Sequence, residues 1–588
     1  MKIFFHTGWL LIAILYSSKL NAQLVYKGWD NTIQAESFDG AFLELIKTNT
    51  HQLLAVCQTY SDSGYDKTTA FAQMGAQGRC WAMMVNPGGS VIWDRDFTGY
   101  IPRGISSSSS DSYTILSCYV GNGTYGDVTL PPSLGSSGNL GCWMVTFDST
   151  GTILWNNRFS SGRDTINPSA NTFAVGQDIQ QVNGNYYITG IGISTPLIFG
   201  GDLNAQNCSY YKFNNRDMFF YRVNSDDTVK YQWQNLYGGD SIDGGFAILP
   251  LQNGFLLGGA TSSQAGCNLT VSSHNNYSDY YVVRTDTIGN IIWQKNYGGS
   301  KDDWLAGILD AGNNEYILYG ETLSPQSFDV SSAGYNDTSL WIVKIDSAGN
   351  ILWDKRFGSC SGSFIWSLNA GGVPITNTLS LFKLKTISGI NTSDGGFLFA
   401  CNVKDSFACG DVSEDGKGNE DYWILKLDAT GNKLWDKRVG GPGKDIAQRV
   451  VEIEPGRFII GGVSIGTDSL MRAAGGDKSE ITIGNGDIWL VEIIDSSVVT
   501  MAQSNELNLF QFSCYPNPAT ENVTLKVSSP INTKLHCCIT DITGKSIYEM
   551  YFTGNTYQVS VKSFPPGIYI IRIQDLDGNV AMKKMVKW

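Results

Sequence analysis

Three short acidic turns carry the residues best suited to chemistry. Gly238-Gly239 is followed four residues later by Asp243, Gly298-Gly299 by Asp303, and Gly440-Gly441 by Asp445. Carboxylate oxygens are the ligands that Ca²⁺ takes, so Asp243, Asp303 and Asp445 form a candidate calcium site around one mouth of a repeat array. The local alternative is that each Asp bonds the backbone N–H groups of its own turn. A second acidic group, Glu414/Asp415/Glu420/Asp421, reads as a solvated loop. Glycoside hydrolysis needs only two carboxyls, so loop carboxylates keep a carbohydrate-active enzyme in play. Histidine chemistry is scarce. Of four His, His6 and His536 lie near the two ends, leaving His51 and His274 in the body. That weighs against histidine zinc sites and Ser-His-Asp catalysis. Trp366, inside the long 358–380 segment, is a ligand-stacking candidate, with loop anchoring as the alternative.

These residues hang on a repeated phrase of aromatic, four residues, Asp, six residues, Trp. It reads Trp143/Asp148/Trp155, Tyr221/Asp226/Trp233, Tyr281/Asp286/Trp293, Trp341/Asp346/Trp353 and Trp423/Asp428/Trp435. Trp81/Asn86/Trp93 keeps the spacing with Asn, and Gly follows at Gly89, Gly151, Gly289, Gly349 and Gly431. Strand, polar Gly turn, strand is a β-hairpin. Two further strand-like runs precede each hairpin, as in Trp304–Asp310 and Glu315–Glu321. Four strands per unit predict the blades of a β-propeller.

The array ends on a hairpin at Trp489 that lacks its second strand, and it begins with an orphan strand, Leu24-Val25-Tyr26. Joining them completes a seventh blade, closes the ring and removes two open edges, with Tyr26 in the place of the hairpin Trp. The fold class is therefore all-β: a seven-bladed propeller closed by an N-terminal strand, then a small C-terminal β-sandwich. Alternating chain direction puts every long insertion on one face, including 60–79, 262–278, 322–338, 403–420 and 464–486. Variable loops on a rigid frame are where binding resides. Eleven of the 16 Trp lie in the hairpins and read as inter-blade packing rather than a sugar platform.

Twelve Cys in an exported chain suggest disulfides. Cys57 ends a second strand and Cys80 starts the adjacent third; Cys118 and Cys142 hold the same places in the next unit. Matching positions on neighbouring strands predict the pairs Cys57–Cys80 and Cys118–Cys142. Other pairings, such as Cys401 with Cys409, stay open.

Residues 1–22 have the form of a secretory signal: Lys2, an apolar run at Leu10–Tyr16 too short to span a bilayer, and Ala22 before the cut. No other segment of the mature chain is suited to crossing a membrane. Losing Lys2 and Lys19 moves the net charge from −13 to −15. Residues 510–588 hold eight Lys/Arg and five Asp/Glu, which leaves the body near −18. So acidic a body argues against nucleic-acid partners. The expected organisation is signal peptide 1–22, propeller 23–496, linker 497–511 and C-terminal module 512–588.

The C-terminal module carries Tyr515-Pro516-Asn517-Pro518-Ala519-Thr520, the turn Asp541-Ile542-Thr543-Gly544-Lys545, Gly567-Ile568-Tyr569-Ile570 and terminal Lys583-Lys584. In this order they resemble the type A C-terminal sorting domain of Bacteroidetes type IX secretion cargo. The resemblance implies passage through the periplasm, engagement of the type IX secretion machinery, export across the outer membrane and removal of the domain. It also implies release or attachment at the cell surface. Terminal Trp588 departs from the family's usual ending. The repeats more loosely resemble quinoprotein-type propellers, whose hairpins carry Asp, Gly and Trp in that order. Here Asp and Gly lie three apart, one residue fewer, and the only vicinal cysteines, Cys537-Cys538, are outside the propeller. The expected function is non-catalytic recognition of polysaccharide or a surface protein. A secreted carbohydrate-active enzyme and a structural surface-layer component are the alternatives.

Overall fold

The computed structural model describes residues 25–588 apart from 36–38, 62, 70–78, 98–100, 109–110, 121–139, 160–162, 165–172, 194–197, 200–215, 225–230, 335–337, 361–385, 467–468, 484, 499–511, 528–533, 542–544 and 575–579. The signal peptide, Trp366 and most of the linker lie outside the described residues. Seven antiparallel four-stranded blades follow one another. Blade 1 is Asp39–Lys47, Leu53–Thr59, Arg79–Val85 and Val91–Phe97; blade 2 is Ile101–Ser107, Ser112–Val120, Leu140–Asp148 and Ile153–Phe159. Blade 3 is Phe173–Val182, Asn185–Ile193, Asp217–Asn224 and Tyr231–Tyr237. Blade 4 is Asp243–Leu251, Gly254–Thr261, Asp279–Thr285 and Ile291–Tyr297. Blade 5 is Asp303–Asp310, Tyr316–Thr322, Ser339–Ile345 and Ile351–Phe357. Blade 6 is Ser388–Asn391, Phe397–Val403, Asp421–Leu427 and Lys433–Val439. Blade 7 is Lys444–Glu454, Arg457–Ile465 and Asp487–Asp495, completed by the N-terminal strand Val25–Ile33. Second strands such as Leu53–Thr59, Gly254–Thr261 and Phe397–Val403 are buried along their whole length, as apolar strands covered on both faces must be.

The repeated phrase has a physical reason at every position. The carboxylate of Asp346 accepts the N–H of Ala348 and of Asn350, and Asp148 does the same for Thr150 and Thr152. These bonds close the hairpin turn and hold both carboxyls below the usual range; the largest cause is the Asn350 N–H at Asp346 and the Thr150 hydroxyl at Asp148. Gly151, Gly349 and Gly431 follow with φ of 80°, 77° and 80°, the left-handed region that glycine enters without strain. A Cβ at Gly431 would also strike the Trp353 ring of the preceding blade at 2.6 Å. The second Trp of a hairpin reaches the next blade's turn: Trp93 Nε1 donates to Ser149 O at 2.9 Å and Trp293 Nε1 to Ser347 O at 3.1 Å. The first Trp is held inside its own blade. Trp81, Trp341 and Trp423 donate to Asp94, Asp354 and Asp436 at 3.0, 3.0 and 2.9 Å. Where Tyr281 replaces Trp, the partner becomes Gln294, at 2.6 Å.

Closure reuses these contacts. Trp489 Nε1 donates to Asp30 at 3.1 Å, so Asp30 plays the part of Asp94, Asp354 and Asp436. Each of those follows a hairpin Trp directly, and Trp29 directly precedes Asp30. The hairpin-Trp place in blade 7 therefore belongs to Trp29, not to Tyr26 as the sequence reading put it. Asp39 N–H then donates to Gly486 O at 2.8 Å, tying blade 1 to blade 7.

The C-terminal module is a separate β-sandwich. One sheet holds Phe512–Tyr515, Asn522–Val527 and Thr556–Ser560; the other holds Leu535–Asp541, Ser546–Phe552, Gly567–Gln574 and Val580–Lys587. Val523, Leu525, Leu535, Ile539, Val559, Ile571 and Ile573 alternate along their strands into one buried core.

Candidate functional site

Asp243 and Asp303 begin the first strands of blades 4 and 5, Asp445 is the second residue of blade 7's first strand, and all three are fully buried. Gly239, Gly299 and Gly441 donate their N–H groups to them at 2.8, 2.6 and 2.6 Å. Ser263 and Ser324 hydroxyls add to Asp243 and Asp303 at 2.8 and 2.9 Å. The Gly-Gly-to-Asp spacing is thus the closure of a capped turn. The three carboxylates stand at three separate joints rather than around one site. Among the described residues no three His, Cys, Asp or Glu side chains gather as metal ligands.

Their partners carry no such spacing signal in the sequence. Each of these aspartates adjoins a second buried aspartate that opens the third strand of the preceding blade: Asp217, Asp279 and Asp421, with Asp487 beside Asp39 at the closing joint. Backbone bonds fix each pairing. Asp243 N–H reaches Arg216 O at 2.6 Å, Asp303 reaches Ser278 O at 2.6 Å and Asp445 reaches Glu420 O at 2.8 Å. A Cβ at Gly238 would lie 2.5 Å from Asp217 Oδ1 and 2.7 Å from Asp243 Oδ2, so only glycine leaves room for both carboxyls. Burial pushes Asp243 and Asp445 up to about 6 and Asp303 up to about 7, with Asp279 raising Asp303 and Asp421 raising Asp445 further. Oδ1 of Asp279 and of Asp421 is buried with no hydrogen bond among the described residues. At Asp421 the Arg438 Nε donates at 2.7 Å and supplies positive charge; at Asp279 the corresponding strand offers the neutral Asn296 amide at 2.8 Å. His274 Nδ1 also meets Asp279 Oδ2, at 2.9 Å.

Five described second-to-third-strand loops share a tip. Gly64↔Lys67, Gly266↔Leu269, Ser327↔Val330, Cys409↔Val412 and Gly475↔Lys478 each bridge across two residues. The first of those two has positive φ in all five: Tyr65 56°, Cys267 59°, Phe328 47°, Gly410 67° and Gly476 61°. The second is Asp66, Asn268, Asp329, Asp411 or Asp477, and it docks on the end of the preceding blade's fourth strand. Gly358 N–H donates to Asp411 at 2.9 Å, Gly440 to Asp477 at 3.2 Å and Gly298 to Asp329 at 3.2 Å, and Gly238 reaches Asn268 at 3.0 Å. At the closing joint Gln34 donates to Asp66 at 2.8 Å. The anchor is constant and the residue before it varies. Tyr65 and Phe328 are each 62% exposed.

The remaining candidates are committed elsewhere. Glu414 meets Lys437 at 2.8 Å, Glu420 meets Lys444 at 3.4 Å, Asp415 caps Ala408 N–H at 2.8 Å, and Asp421 is buried against Arg438. The acidic loop is an ion-paired network rather than a bare solvated surface. His51 sits in the turn between the first two strands of blade 1, its N–H on Thr48 O at 3.1 Å.

The cysteine pairs need correction. Cys57 lies opposite Trp81, and Cys80 opposite Gln58, so the two thiols leave opposite faces of the blade and cannot bridge. Cys118 and Cys142 are directly opposed as expected, yet both are free thiols. Cys142 accepts Gly176 N–H at 3.0 Å, and Arg103 hydrogen-bonds Cys118. Burial pushes Cys80 and Cys142 up to about 12. Cys409 pairs with Cys360, Cα atoms 5.5 Å apart, while Cys401 stays free.

In the sandwich the motif residues meet. Asn517 Nδ2 donates to Lys584 O at 2.7 Å, and Val586 N–H returns to Asn517 Oδ1 at 2.8 Å. The Tyr515–Pro518 segment is thereby clasped to the strand that carries Lys583 and Lys584. Gly567 and Tyr569 lie on the strand beside it, and Tyr569 OH reaches back to Pro565 O at 2.7 Å.

The C-terminal part of the chain is thus a small sandwich with its motif segment clasped to its last strand. Residues 513–587 match the secretion system C-terminal sorting domain. The chain is a type IX secretion cargo, exported to the cell surface or beyond it, and no helix among the described residues is long and apolar enough to cross a membrane. No curated protein matches the sequence. Among solved structures, the Dos1 propeller is 8% identical, with 81% of this chain and 97% of that one covered and a TM-score of 0.39. A protein of unknown function from Dyadobacter fermentans is 9% identical, covering 80% and 99%, at 0.35. PorZ, a surface component of the type IX secretion system of Porphyromonas gingivalis, is 10% identical, covering 95% and 100%, at 0.21. Likenesses at these scores carry no functional weight.

Proposed function

We propose that the exported propeller is a non-catalytic recognition module whose loop face binds polysaccharide or another surface protein. One observation carries this reading. Five loops share one anchored turn, and the anchor residue is held to Asp or Asn while the outward residue ranges over Tyr65, Cys267, Phe328, Gly410 and Gly476. A fixed frame with variable tips is the design of a binding surface. The loop carboxylates that a hydrolase would need are tied into caps and ion pairs, which favours recognition over hydrolysis. A glycan array run beside a reducing-end assay tests this. Binding without product is expected; product would establish the enzyme, and neither signal would leave a structural spacer.

A further inference from the structure

The tips at Tyr65 and Phe328 go against the backbone. Positive φ at the first central residue alone is the pattern of a type II′ turn, which selects glycine there. Two of the five tips comply, with Gly410 and Gly476, and Cys267 is disulfide-bonded. At Tyr65 and Phe328 a bulky aromatic occupies the same strained conformation, an outlier that persists only where the surroundings enforce it. The enforcing bonds are visible: Asp66 and Asp329, the next residue in each case, are fixed by N–H donors from the preceding blade. The strain is not repaid by burial, since both residues stand 62% exposed; Phe328 stacks on His274 with ring centroids 4.3 Å apart. Folding alone gives glycine at both positions. Aromatic rings held outward at a cost to the fold are there for something outside it.

We propose, resting on the recognition reading above, that Tyr65 and Phe328 are ligand-contacting residues for an uncharged polysaccharide. Ring faces suit the C–H faces of sugars, and a rigid aromatic offers large contact area at small entropic cost. Among the described residues the exposed large apolar side chains of this face are spread around the ring: Tyr277 on blade 4 (45% exposed), Phe328 on blade 5, Phe407 on blade 6 (75%), Leu470 and Ile481 on blade 7 (79% and 53%) and Tyr65 on blade 1. Apolar side chains spread over five consecutive blades match a long chain touched at intervals. A protein partner calls for a contiguous apolar patch. The anchors around them, Asp66, Asp329, Asp411 and Asp477, are mostly acidic, and the body carries a charge near −18, so polyanionic glycans are repelled.

The test uses the exported chain in native gels cast with neutral β-glucan, xylan, galactomannan or amylose, and in parallel gels with polygalacturonate or alginate. Wild type is expected to be retarded by at least one neutral polymer and by neither acidic one. Tyr65→Gly and Phe328→Gly should each weaken that retardation about tenfold. Their melting temperatures should hold or rise by about 1–2 °C, because glycine relieves the turn. A purely structural role predicts the opposite, lower melting with binding lost in proportion. Retardation by acidic polymers alone, lowered melting, or unchanged binding in both variants each overturns the assignment. A wild type that binds nothing on the array or in any gel sinks polysaccharide recognition by this face altogether. A wild type that binds equally well without the two rings sinks only the role given to them.

Discussion

Replacing Asp303 by Asn tests the inter-blade carboxyl pairs in the most direct way. Asp303 is fully buried beside Asp279, with His274 on the far side of Asp279 and the Arg356 guanidinium in electrostatic reach. Burial, then the Asp279 charge, lifts its carboxyl from 3.8 to about 7. The folded protein thus holds a proton that the unfolded chain releases at a much lower pH. Below about pH 4 both states are protonated and the group is neutral to stability. As pH rises from there to about 7, the unfolded chain gains from ionising and the folded one does not, so stability falls across that window and levels off above it. A shift of this size corresponds to about 4 kcal/mol at most. Asn keeps an oxygen for the Gly299 N–H and the Ser324 hydroxyl while removing the charge. Part of the gain is lost because bonds to a neutral acceptor are weaker, leaving a net stabilisation of about 1–3 kcal/mol at pH 8. At pH 4.5 the linkage contribution is smaller by about 3 kcal/mol, so the variant should be level with wild type or less stable by up to about 2 kcal/mol. Urea unfolding of the propeller at pH 4.5, 6 and 8 reads this out. A variant that is less stable than wild type at pH 8, with the loss reproduced by EGTA on wild type, would refute the reasoning. That result would mean that the carboxylate is needed ionised, as a calcium ligand is.

Three further outcomes follow from named contacts. Non-reducing peptide mapping should recover Cys360–Cys409 and leave Cys57, Cys80, Cys118 and Cys142 as thiols that alkylate only after denaturation; a Cys57–Cys80 bridge would contradict the register of blade 1. Asp30→Ala strips the acceptor from Trp489 Nε1 and from the Ser479 N–H, and should cost about 1–3 kcal/mol by thermal or urea unfolding; no loss would mean that the N-terminal strand does not complete blade 7. Deleting 512–588 should leave a folded propeller in the periplasm, scored by cell fractionation and protease resistance, and normal surface display of the truncated chain would disprove routing by this domain.

What the sequence made legible was whatever a fixed spacing forces. The hairpin phrase is legible because the capping Asp, the left-handed Gly and the bridging Trp must each sit at one position for a turn to close against the next blade. The residue thirteen after the first aromatic was equally readable, as Asp94, Asp354 and Asp436 after Trp and Gln294 after Tyr281, and it would have placed Trp29 rather than Tyr26 at the closing joint. The cysteine pairing failed for the same geometric reason that the hairpins succeeded. Strand order was right, but a one-residue offset in register turns a side chain to the other face, and nothing in the sequence between 60 and 79 fixes that offset. The carboxyl pairs were half visible. Asp243, Asp303 and Asp445 announce themselves through the glycines they cap, whereas Asp217, Asp279 and Asp421 become their partners only when one blade is laid against the next. The loop tips were invisible for the opposite reason: five turns of one conformation carry Tyr, Cys, Phe and two Gly, so residue type hides the repeat that backbone geometry reveals. Where type and conformation disagree in this way, as at Tyr65 and Phe328, the backbone records what folding prefers and the side chain records what else the position is for.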